Sequence, residues 1–242
     1  MSAPNCQVCG SARIEPYHRD ADATLFRCGD CGFVFLHPIP DAATQAALYE
    51  NAGIGARYFP KTERKLARAK VRMRQLQRHA ARGRFLDAGC NGGFMVEAAR
   101  LAGFDAHGVE PDPASVQWAR QHFPANAFVV ATLEEFVAGG AQSPFDLVYC
   151  SEVIEHAPDA NKFVSALAAA AKRGGTLYLT TPDITHWRRP RDLAKWDGYK
   201  PPEHCLYFSP SNLRRLLERH GFAVERTAWA WKPGIKMVAR RT

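Results

Sequence analysis

The sequence predicts an α/β fold in which a mostly parallel sheet follows a small cysteine-rich unit. Three observations support this prediction: apolar runs alternate with helical segments from residue 84 onward, a Gly-rich turn follows the first of these runs, and two Cys-x-x-Cys-Gly pairs lie near the N-terminus. With 242 residues, of which 46% are hydrophobic, the chain can hold one domain with its own core and a small appendage.

A tight turn follows the first apolar run and leads into a helix. The run 84 to 88 leads into Asp87-x-Gly89, and the Gly/Asn cluster after it opens a helix at 94 to 102. The next apolar run, which we expect to be a parallel neighbouring strand, ends at Glu110 beside the same turn. A carboxylate at that place suits the two hydroxyls of a ribose.

The glycine spacing in this turn distinguishes between nucleoside cofactors. The dinucleotide fingerprint needs glycines at its first, third and sixth positions, so that a pyrophosphate can sit on the helix N-terminus. Counted from Gly89, the third and sixth positions hold Asn91 and Phe94, so NAD fits poorly. Asn tolerates a left-handed backbone better than other non-glycine residues, so Asn91 can still occupy the turn.

The remaining elements continue the alternation of strand and helix. We expect helices at 113 to 122, 161 to 172 and 209 to 220, and strands at 105 to 109, 127 to 130, 145 to 150, 176 to 181, 222 to 227 and 236 to 240. This gives seven strands, mostly parallel, with the last strand antiparallel. Ligands of such sheets lie beyond the carboxyl ends of the strands. The loops that meet there carry Gly89, Glu110, Leu133 and Glu152.

Four of the seven cysteines have the spacing of a metal site, and they are Cys6, Cys9, Cys28 and Cys31. Each Cys-x-x-Cys-Gly pair turns two thiolates toward one point, and four thiolates complete a closed tetrahedral zinc site with a structural role. Disulfides are the alternative, and a cytosolic location argues against them. With short strands expected at 25 to 27 and 33 to 36, residues 1–40 are predicted to form a zinc ribbon.

Charge and hydropathy narrow the location and the partners. No run of about 18 apolar residues is present and the N-terminus has neither a basic nor an apolar signal region, so we expect a cytoplasmic protein without a membrane partner. The net charge of +8 suits an anionic partner such as nucleic acid, although many soluble proteins carry a similar excess. No pattern indicates the oligomeric state.

Residues 41–82 are predicted to form a helical arm between the ribbon and the sheet. A short helix at 44 to 50 and a Gly-containing break at 51 to 55 precede a basic amphipathic helix at 61 to 81. The basic face of this helix is either simply solvated or contacts RNA or an acidic substrate. The aromatic residues of the arm, which either cover the cofactor or pack on the core, are Tyr49, Tyr58 and Phe59.

From about Tyr49 to the C-terminus the motifs resemble those of class I S-adenosylmethionine (SAM) methyltransferases, in particular the bacterial group with an N-terminal zinc ribbon. The motifs are Asp87 to Gly93, Gly108-Val109-Glu110-Pro111, Phe145-Asp146-Leu147-Val148, Glu152-Val153-Ile154-Glu155-His156, Gly174-Gly175, Thr181-Pro182-Asp183, and Pro202 to Ser209. In the first of them Asn91 replaces the middle glycine of Asp-x-Gly-x-Gly-x-Gly. The resemblance implies a Rossmann-like sheet over 83–242 and methyl transfer from SAM to a small-molecule or sugar-like acceptor at a hydroxyl.

The same resemblance assigns the cofactor site. It places Gly89 and Gly93 near the methionine part of SAM, lets Asp87 order the loop, and gives the ribose hydroxyls to Glu110. The adenine lies by Thr132 and Leu133. The full set of implied cofactor contacts is Asp87, Gly89, Cys90, Asn91, Gly93, Glu110, Pro111, Thr132, Leu133, Ser151 and Glu152.

The catalytic candidates are His156, His204 and Glu152. A general base is needed only if the attacking atom carries a proton, and the two histidines otherwise pack loops or cap helices. The stretch 183–208 is either an ordered wall that sets substrate specificity or a disordered excursion, and its two tryptophans and Tyr199 favour order.

A second divalent site is a further candidate. Glu152, Glu155 and His156 have the Glu-x-x-Glu-His spacing of small-RNA 2′-O-methyltransferases and of some ubiquinone-pathway O-methyltransferases, with His204 as a fourth ligand. Two carboxylates and two imidazoles would hold Mg²⁺ or Mn²⁺ against vicinal hydroxyls. This leaves two alternatives to a small-molecule enzyme: a divalent-metal-assisted RNA 2′-O-methyltransferase, and a non-catalytic SAM-binding module.

Overall fold

The computed structural model describes residues 5–20, 23–41, 44, 61–80, 82–140 and 143–242. The predicted short helix at 44 to 50, apart from Thr44, and the break at 51 to 55 lie outside the described residues. The same holds for the three aromatic residues of the arm, Tyr49, Tyr58 and Phe59.

The described elements follow the expected alternation. The strands are β1 (Ile14–Arg19), β2 (Thr24–Cys28), β3 (Val34–Leu36), β4 (Arg84–Ala88), β5 (Asp105–Glu110), β6 (Ala127–Val130), β7 (Phe145–Ser151), β8 (Ala171–Pro182), β9 (Leu206–Tyr207), β10 (Phe222–Thr227) and β11 (Gly234–Arg241). The helices are α1 (Thr62–Leu76), α2 (Phe94–Leu101), α3 (Pro113–His122), α4 (Leu133–Ala138), α5 (Ala160–Ala170) and α6 (Pro210–Arg219). Two 3-10 turns cover Ile154–His156 and Leu193–Lys195.

The larger sheet confirms the predicted fold class. Its seven strands lie in the order β10-β11-β8-β7-β4-β5-β6. The five strands from β4 to β8 pair in parallel, and β11 is antiparallel to both of its neighbours, β8 and β10. The carboxyl ends of β4, β5 and β7 therefore meet at one edge, where ligands of such sheets bind.

The centre of the sheet is buried on both faces. Phe85 and Leu86 of β4, like Leu147 and Val148 of β7, have no exposed surface, as expected for parallel strands covered by helices on each side. The arm helix α1 forms part of this core, because its apolar stripe buries Met73 against α2. It ends at Leu76 rather than at the predicted residue 81.

A second, smaller sheet contains the four cysteines and one strand from far along the chain. Its order is β1-β2-β3-β9, so β9, which lies at the end of the predicted insert 183–208, completes the sheet of the N-terminal unit. The insert is ordered, and Trp196 is only 5% exposed. The expectation of an ordered segment is therefore correct, and its role in substrate specificity stays a prediction.

Three elements were not expected from the sequence: β1, β9 and α4. The last of these begins with a capping box, in which the Thr132 hydroxyl accepts from the Glu135 amide and the Glu135 carboxylate accepts from the Thr132 amide. Strand β8 also starts at Ala171, five residues before the predicted strand, where it pairs with Phe145. Among the described helices none is long and apolar enough to cross a membrane.

Candidate functional site

The turn after β4 has the left-handed backbone that its sequence predicts. Gly89, Asn91 and Gly93 have φ angles of 82°, 46° and 74°. A side chain at Gly89 would place its Cβ 2.5 Å from Val153, and one at Gly93 would lie 2.6 Å from Phe128. Glycine is favoured at both positions for two reasons: the left-handed backbone angle disfavours a Cβ, and the close approach leaves no room for one.

Glu110 at the end of β5 holds this turn in place. Its carboxylate accepts hydrogen bonds from the backbone amides of Asn91 at 2.9 Å and of Asp112 at 3.1 Å. Burial raises the pKa of Glu110, while the two amide donors lower it. The carboxylate also lines the cleft beside the turn, so its remaining lone pairs are available to a ligand there.

Asp87, one residue before the end of β4, is 4% exposed. Burial raises the pKa of Asp87 to about 8, and the negative charge of Glu110 acts in the same direction. Arg72 of α1 is the cation that opposes this shift. An unliganded Asp87 is therefore largely protonated near neutral pH.

A cleft of about 850 Å³ lies along the carboxyl edge of the sheet and joins the two halves of the predicted site. The predicted residues that line it are Gly89, Asn91, Glu110, Pro111, Ser151, Glu152, Glu155, His156 and His204. Five predicted cofactor contacts are not among its lining residues: Asp87, Cys90, Gly93, Thr132 and Leu133. Cys90 instead packs against Gly108, where an added Cβ would lie 2.7 Å from its Sγ.

Arg72 also lines the cleft and was not predicted from the sequence. Its guanidinium donates a hydrogen bond of 2.5 Å to the Tyr149 hydroxyl of β7, and Tyr149 stacks on Tyr178 of β8. Arg72 lies on the basic face of α1, where one arginine among many gave no local signal. Only the packing of α1 on α2 directs this side chain to the sheet edge.

The same cleft is also lined by Glu155, His156 and His204, which we call the His/Glu cluster. One ligand atom from each of the three residues lies within 4.8 Å of the others. Glu155 and His156 come from the 3-10 turn after β7, and His204 comes from the insert. The two imidazole rings have centroids 4.6 Å apart and planes at 89°.

Hydrogen bonds fix the chemistry of this cluster. His156 Nδ1 lies 2.9 Å from the carbonyl oxygen of Glu203, and His204 Nδ1 lies 2.9 Å from that of Gly198. Since a carbonyl can only accept, each Nδ1 carries the proton and each Nε2 presents a lone pair. Burial lowers the pKa of His156 to about 3 and that of His204 to about 4, so both rings are neutral at pH 7.

Glu155 completes the cluster with a buried oxygen that lacks a partner. Its Oε2 accepts from the Thr181 hydroxyl at 2.9 Å, whereas Oε1 is buried and receives no hydrogen bond from the described residues. Burial, with the charge of Glu152 in second place, raises the pKa of Glu155 to about 8. A divalent cation fits this donor set, because it would take the unpaired oxygen and both Nε2 lone pairs.

Glu152 lies outside the His/Glu cluster, although its spacing in the sequence predicts a ligand. It follows β7 with a φ of 57°, a left-handed angle that a non-glycine residue adopts only at a cost of about 1–2 kcal/mol. Its Oε1 accepts from the Thr180 hydroxyl at 2.8 Å. Burial raises the pKa of Glu152. Glu152 lines the cleft between the Gly-rich turn and the cluster, so its role as a catalytic residue stays a prediction.

The four N-terminal cysteines converge as their spacing predicts. Their sulfur atoms lie within 4.8 Å of one another, with Cys6 and Cys31 at 3.6 Å and Cys9 and Cys28 at 3.5 Å. A tetrahedral zinc with Zn–S bonds of about 2.3 Å would have sulfur atoms about 3.8 Å apart, so the arrangement fits zinc. All four are free thiols, and the disulfide alternative is not adopted.

Comparison with known proteins identifies the family of this fold and site. A sequence profile described as a methyltransferase domain matches residues 58–227. Ubiquinone biosynthesis O-methyltransferases from Methylococcus capsulatus and Bordetella avium are each 34% identical, over 46% and 57% of this chain and 49% and 61% of their own length. The human mitochondrial enzyme of that name is 27% identical over 59% of this chain and 42% of its own. The chain thus spans about half the length of these curated relatives.

Solved structures share the fold at low sequence identity. The 1,6-didemethyltoxoflavin-N1-methyltransferase of Burkholderia thailandensis, solved with its substrate and S-adenosylhomocysteine, has a TM-score of 0.62 at 17% identity and covers 94% of this chain and 99% of its own. A magnesium protoporphyrin IX methyltransferase from Synechocystis, solved with S-adenosylhomocysteine, has a TM-score of 0.58 at 21% identity and covers 73% and 83%.

Proposed function

We propose that this chain, which belongs to the methyltransferase-domain family, transfers the methyl group of SAM to a hydroxyl of a small-molecule acceptor. The observation that carries the proposal is that one cleft is lined both by a nucleoside-type turn and by a cluster of divalent-cation ligands. The names of the curated relatives support hydroxyl methylation of a small molecule.

The side of the cleft beside Gly89, which we call the cofactor end, offers partners for two groups of SAM. Glu110 would accept from the ribose hydroxyls, and the turn at Gly89 and Asn91 allows the backbone to approach the ligand closely. The methionine carboxylate needs a cation, and Arg72 lines the same cleft. When bound, SAM supplies an electrophilic methyl on sulfur, and the protein contributes positioning and exclusion of water.

The His/Glu cluster supports a divalent cation at the acceptor end. Each of its three residues offers a ligand atom within 4.8 Å of the others, and Glu155 Oε1 receives no hydrogen bond from the described residues. A cation held there would lower the pKa of an acceptor hydroxyl that lies against it. Such a site favours an acceptor with two vicinal hydroxyls, one that is oriented and one that is methylated.

The proton of the attacked hydroxyl needs a destination within the cleft. Both histidines of the cluster direct their Nδ1 protons to carbonyls and have their Nε2 atoms committed to the cation, so neither takes it. Glu152 lines the cleft outside the cluster and has its second carboxylate oxygen open to a ligand. We assign the proton to Glu152. The hydroxyl oxygen then forms its bond to the methyl carbon as the carbon–sulfur bond breaks and S-adenosylhomocysteine leaves.

A transfer assay tests the proposal. The full chain is incubated with SAM and with catechol-type acceptors, each paired with its mono-hydroxy analogue, and methylated product is quantified by mass spectrometry with and without added Mg²⁺ or Mn²⁺. We expect transfer to vicinal diols only, stimulated by the cation. Absence of product with every hydroxyl acceptor, while S-adenosylhomocysteine still binds, favours the non-catalytic SAM-binding module.

Glu155→Gln is the variant that isolates the divalent site, since it keeps the volume and removes the charge of Glu155. We expect product formation to fall by about 100-fold, as for loss of a metal ligand, with unchanged affinity for S-adenosylhomocysteine. Glu134→Gln is the matched control, because burial also raises the pKa of Glu134 but this residue does not line the cleft. Equal activity of Glu155→Gln and the wild type would remove the cation from the mechanism.

The N-terminal unit and the domain division belong to the same proposal. Zinc bound by the four cysteines, one equivalent per chain, would stabilise a ribbon over 1–40, with an arm at 41–82 and the catalytic domain at 83–242. The RNA-directed alternative is not favoured by the names of the curated relatives. RNA binding that weakens steeply with salt would revive it.

A further inference from the structure

Residues 5–20 and 23–36, which carry the four cysteines and the strands β1, β2 and β3, are called the cysteine ribbon. Its sheet is incomplete without the catalytic insert. Strand β9 pairs antiparallel with β3, with Val34 opposite Tyr207 and Phe35 opposite Leu206. The rings of Phe33 and Phe208 pack at 5.1 Å beside this pairing. Because β9 has only two residues, it exists only through the partner that the ribbon provides.

Strand β9 begins two residues after a member of the His/Glu cluster. The residue between them, Cys205, is fully buried and is hydrogen-bonded both to the ribbon and to the cluster. Its carbonyl accepts from the Leu36 amide at 2.8 Å, and its amide donates to the Glu155 carbonyl at 2.8 Å. Two backbone hydrogen bonds therefore run from the ribbon, through the residue after His204, to Glu155.

The ribbon also contacts the chain segment that carries Glu155 and His156, through the side chain of Gln7. This residue follows Cys6 in the first Cys-x-x-Cys-Gly pair. Its side-chain oxygen accepts from the Ala160 amide at 2.7 Å, and its side-chain amide donates to the Pro158 carbonyl at 3.3 Å. Pro158 follows His156 by two residues. A third link joins the insert, where the Tyr199 hydroxyl donates to Asp20.

We propose that the cysteine ribbon is a positioning element of the active site, which holds Glu155, His156 and His204 in register through β9 and Gln7. Both chain segments that supply the cluster are attached to the ribbon, one on each side. A cation site tolerates displacements of only about 0.5 Å in its ligands, so the attachment of both segments to one rigid unit matters for the cluster. The turn at Gly89 has no such attachment among the described contacts, and the cofactor end should be independent of the ribbon.

Gln7→Ala tests the proposal without touching a cysteine. We expect the affinity for Mn²⁺, measured by electron paramagnetic resonance, to fall by about tenfold, as for other groups that orient metal ligands, while affinity for S-adenosylhomocysteine stays within about twofold. The ribbon should keep one equivalent of zinc. Gln121→Ala, on the exposed end of α3, is the matched control and should change neither affinity. Gln7→Glu retains the acceptor for Ala160 and should restore part of the loss.

Hydrogen–deuterium exchange provides a readout that does not depend on metal binding or methyl transfer. In the Cys31→Ser variant, which removes one thiol of the ribbon, we expect faster exchange in peptides covering 153–157 and 203–207 as well as in the ribbon. Peptides covering 85–93 should exchange as in the wild type. The loss of methyl transfer that accompanies these changes rests on the proposed function, whereas the exchange pattern does not.

Each result decides the proposal. The proposal is overturned if the ribbon of Cys31→Ser loses its protection from hydrogen exchange while peptides covering 153–157 and 203–207 keep theirs. It is also overturned if Gln7→Ala loses affinity for Mn²⁺ and for S-adenosylhomocysteine to the same extent, because that result would indicate general destabilisation. If Cys31→Ser does not fold, the exchange of Gln7→Ala decides instead: unchanged protection of 153–157 overturns the proposal. If wild-type chain transfers no methyl group yet shows the expected exchange pattern, the proposed function fails and the positioning role stands.

Discussion

Replacing the Glu110 carboxylate by an amide tests the cofactor end of the cleft with a change of one atom. The carboxylate accepts from the backbone amides of Asn91 and Asp112 and, in the proposed complex, from the ribose hydroxyls. A glutamine has one acceptor oxygen, so its NH₂ group must face a donor. We expect Glu110→Gln to lose one hydrogen bond to a charged group in the complex, about 2 kcal/mol, which corresponds to a roughly 30-fold weaker affinity for S-adenosylhomocysteine.

The unliganded protein should respond much less to the same change. Burial raises the pKa of Glu110, so the environment already disfavours its charge, and removing that charge offsets part of the lost hydrogen bonding to Asn91 and Asp112. We expect the free energy of unfolding to change by no more than about 1 kcal/mol. A large loss of affinity with a small loss of stability is the signature of a ligand-binding role.

Isothermal titration calorimetry with S-adenosylhomocysteine and urea unfolding measure the two quantities. Glu134→Gln is the matched control, because Glu134 is also half-buried, has its pKa raised by burial, and does not line the cleft. The affinity of Glu134→Gln for S-adenosylhomocysteine should stay within about twofold of the wild-type value. Such a change corresponds to much less than the 1.4 kcal/mol of a tenfold change. If Glu110→Gln binds as tightly as the wild type, Glu110 does not hold the ribose and the assignment of the cofactor end is wrong.

Three further outcomes follow from the same site. Gly93→Ala should lower the free energy of unfolding in urea by about 3 kcal/mol, because the added Cβ would lie 2.6 Å from the ring of Phe128. Gly174→Ala is the control, since Gly174 has a similar backbone angle but open space around it, and it should cost only about 1 kcal/mol. Equal costs would contradict the packing argument. The pKa of Asp87 is about 8 in the folded chain, above its ordinary value of 3.8, so between these two values the folded chain keeps a proton that the unfolded chain has lost. The free energy of unfolding of the unliganded protein should therefore fall as the pH rises from about 4 to above 8. Asp87→Asn should flatten that dependence in thermal unfolding from pH 5 to 9, and an unchanged slope would reject the buried proton. Arg72→Gln keeps a donor for Tyr149 but removes the charge, and should weaken S-adenosylhomocysteine binding by about tenfold in calorimetry if Arg72 holds the methionine carboxylate.

The elements that the sequence predicts well carry their signals locally. Strands β6 and β10 and helix α3 have the predicted bounds. In each case the signal is an apolar run inside the element or a cap directly beside it. Asp112 is such a cap, because it precedes α3 and its side chain accepts from the first amides of that helix. The turn at Gly89 is equally local, since the required backbone angles select Gly and Asn at fixed positions.

The elements that escaped prediction depend on distant partners. Strand β1 is polar, contains Pro16 and lies at an edge, so only its pairing with β2 makes it a strand. Strand β9 exists only through β3, from which it is separated by about 170 residues of chain. Arg72 reaches the cleft for a similar reason, because the packing of α1 rather than any spacing directs it there.

The proposed divalent site shows where a sequence spacing becomes ambiguous. Glu-x-x-Glu-His on a helix would place all three side chains on one face, since residues three and four apart are neighbours there. Here the chain leaves β7 at Glu152 in a left-handed conformation and only then forms a single 3-10 turn, which carries Glu155 and His156. The left-handed backbone at Glu152 directs the chain so that its side chain lies apart from Glu155 and His156. His204, from the insert, is the third residue beside them. In the proposed mechanism this arrangement leaves the Glu152 carboxylate for the substrate proton, and the left-handed angle at Glu152 would separate the cation ligands from the group that takes the proton.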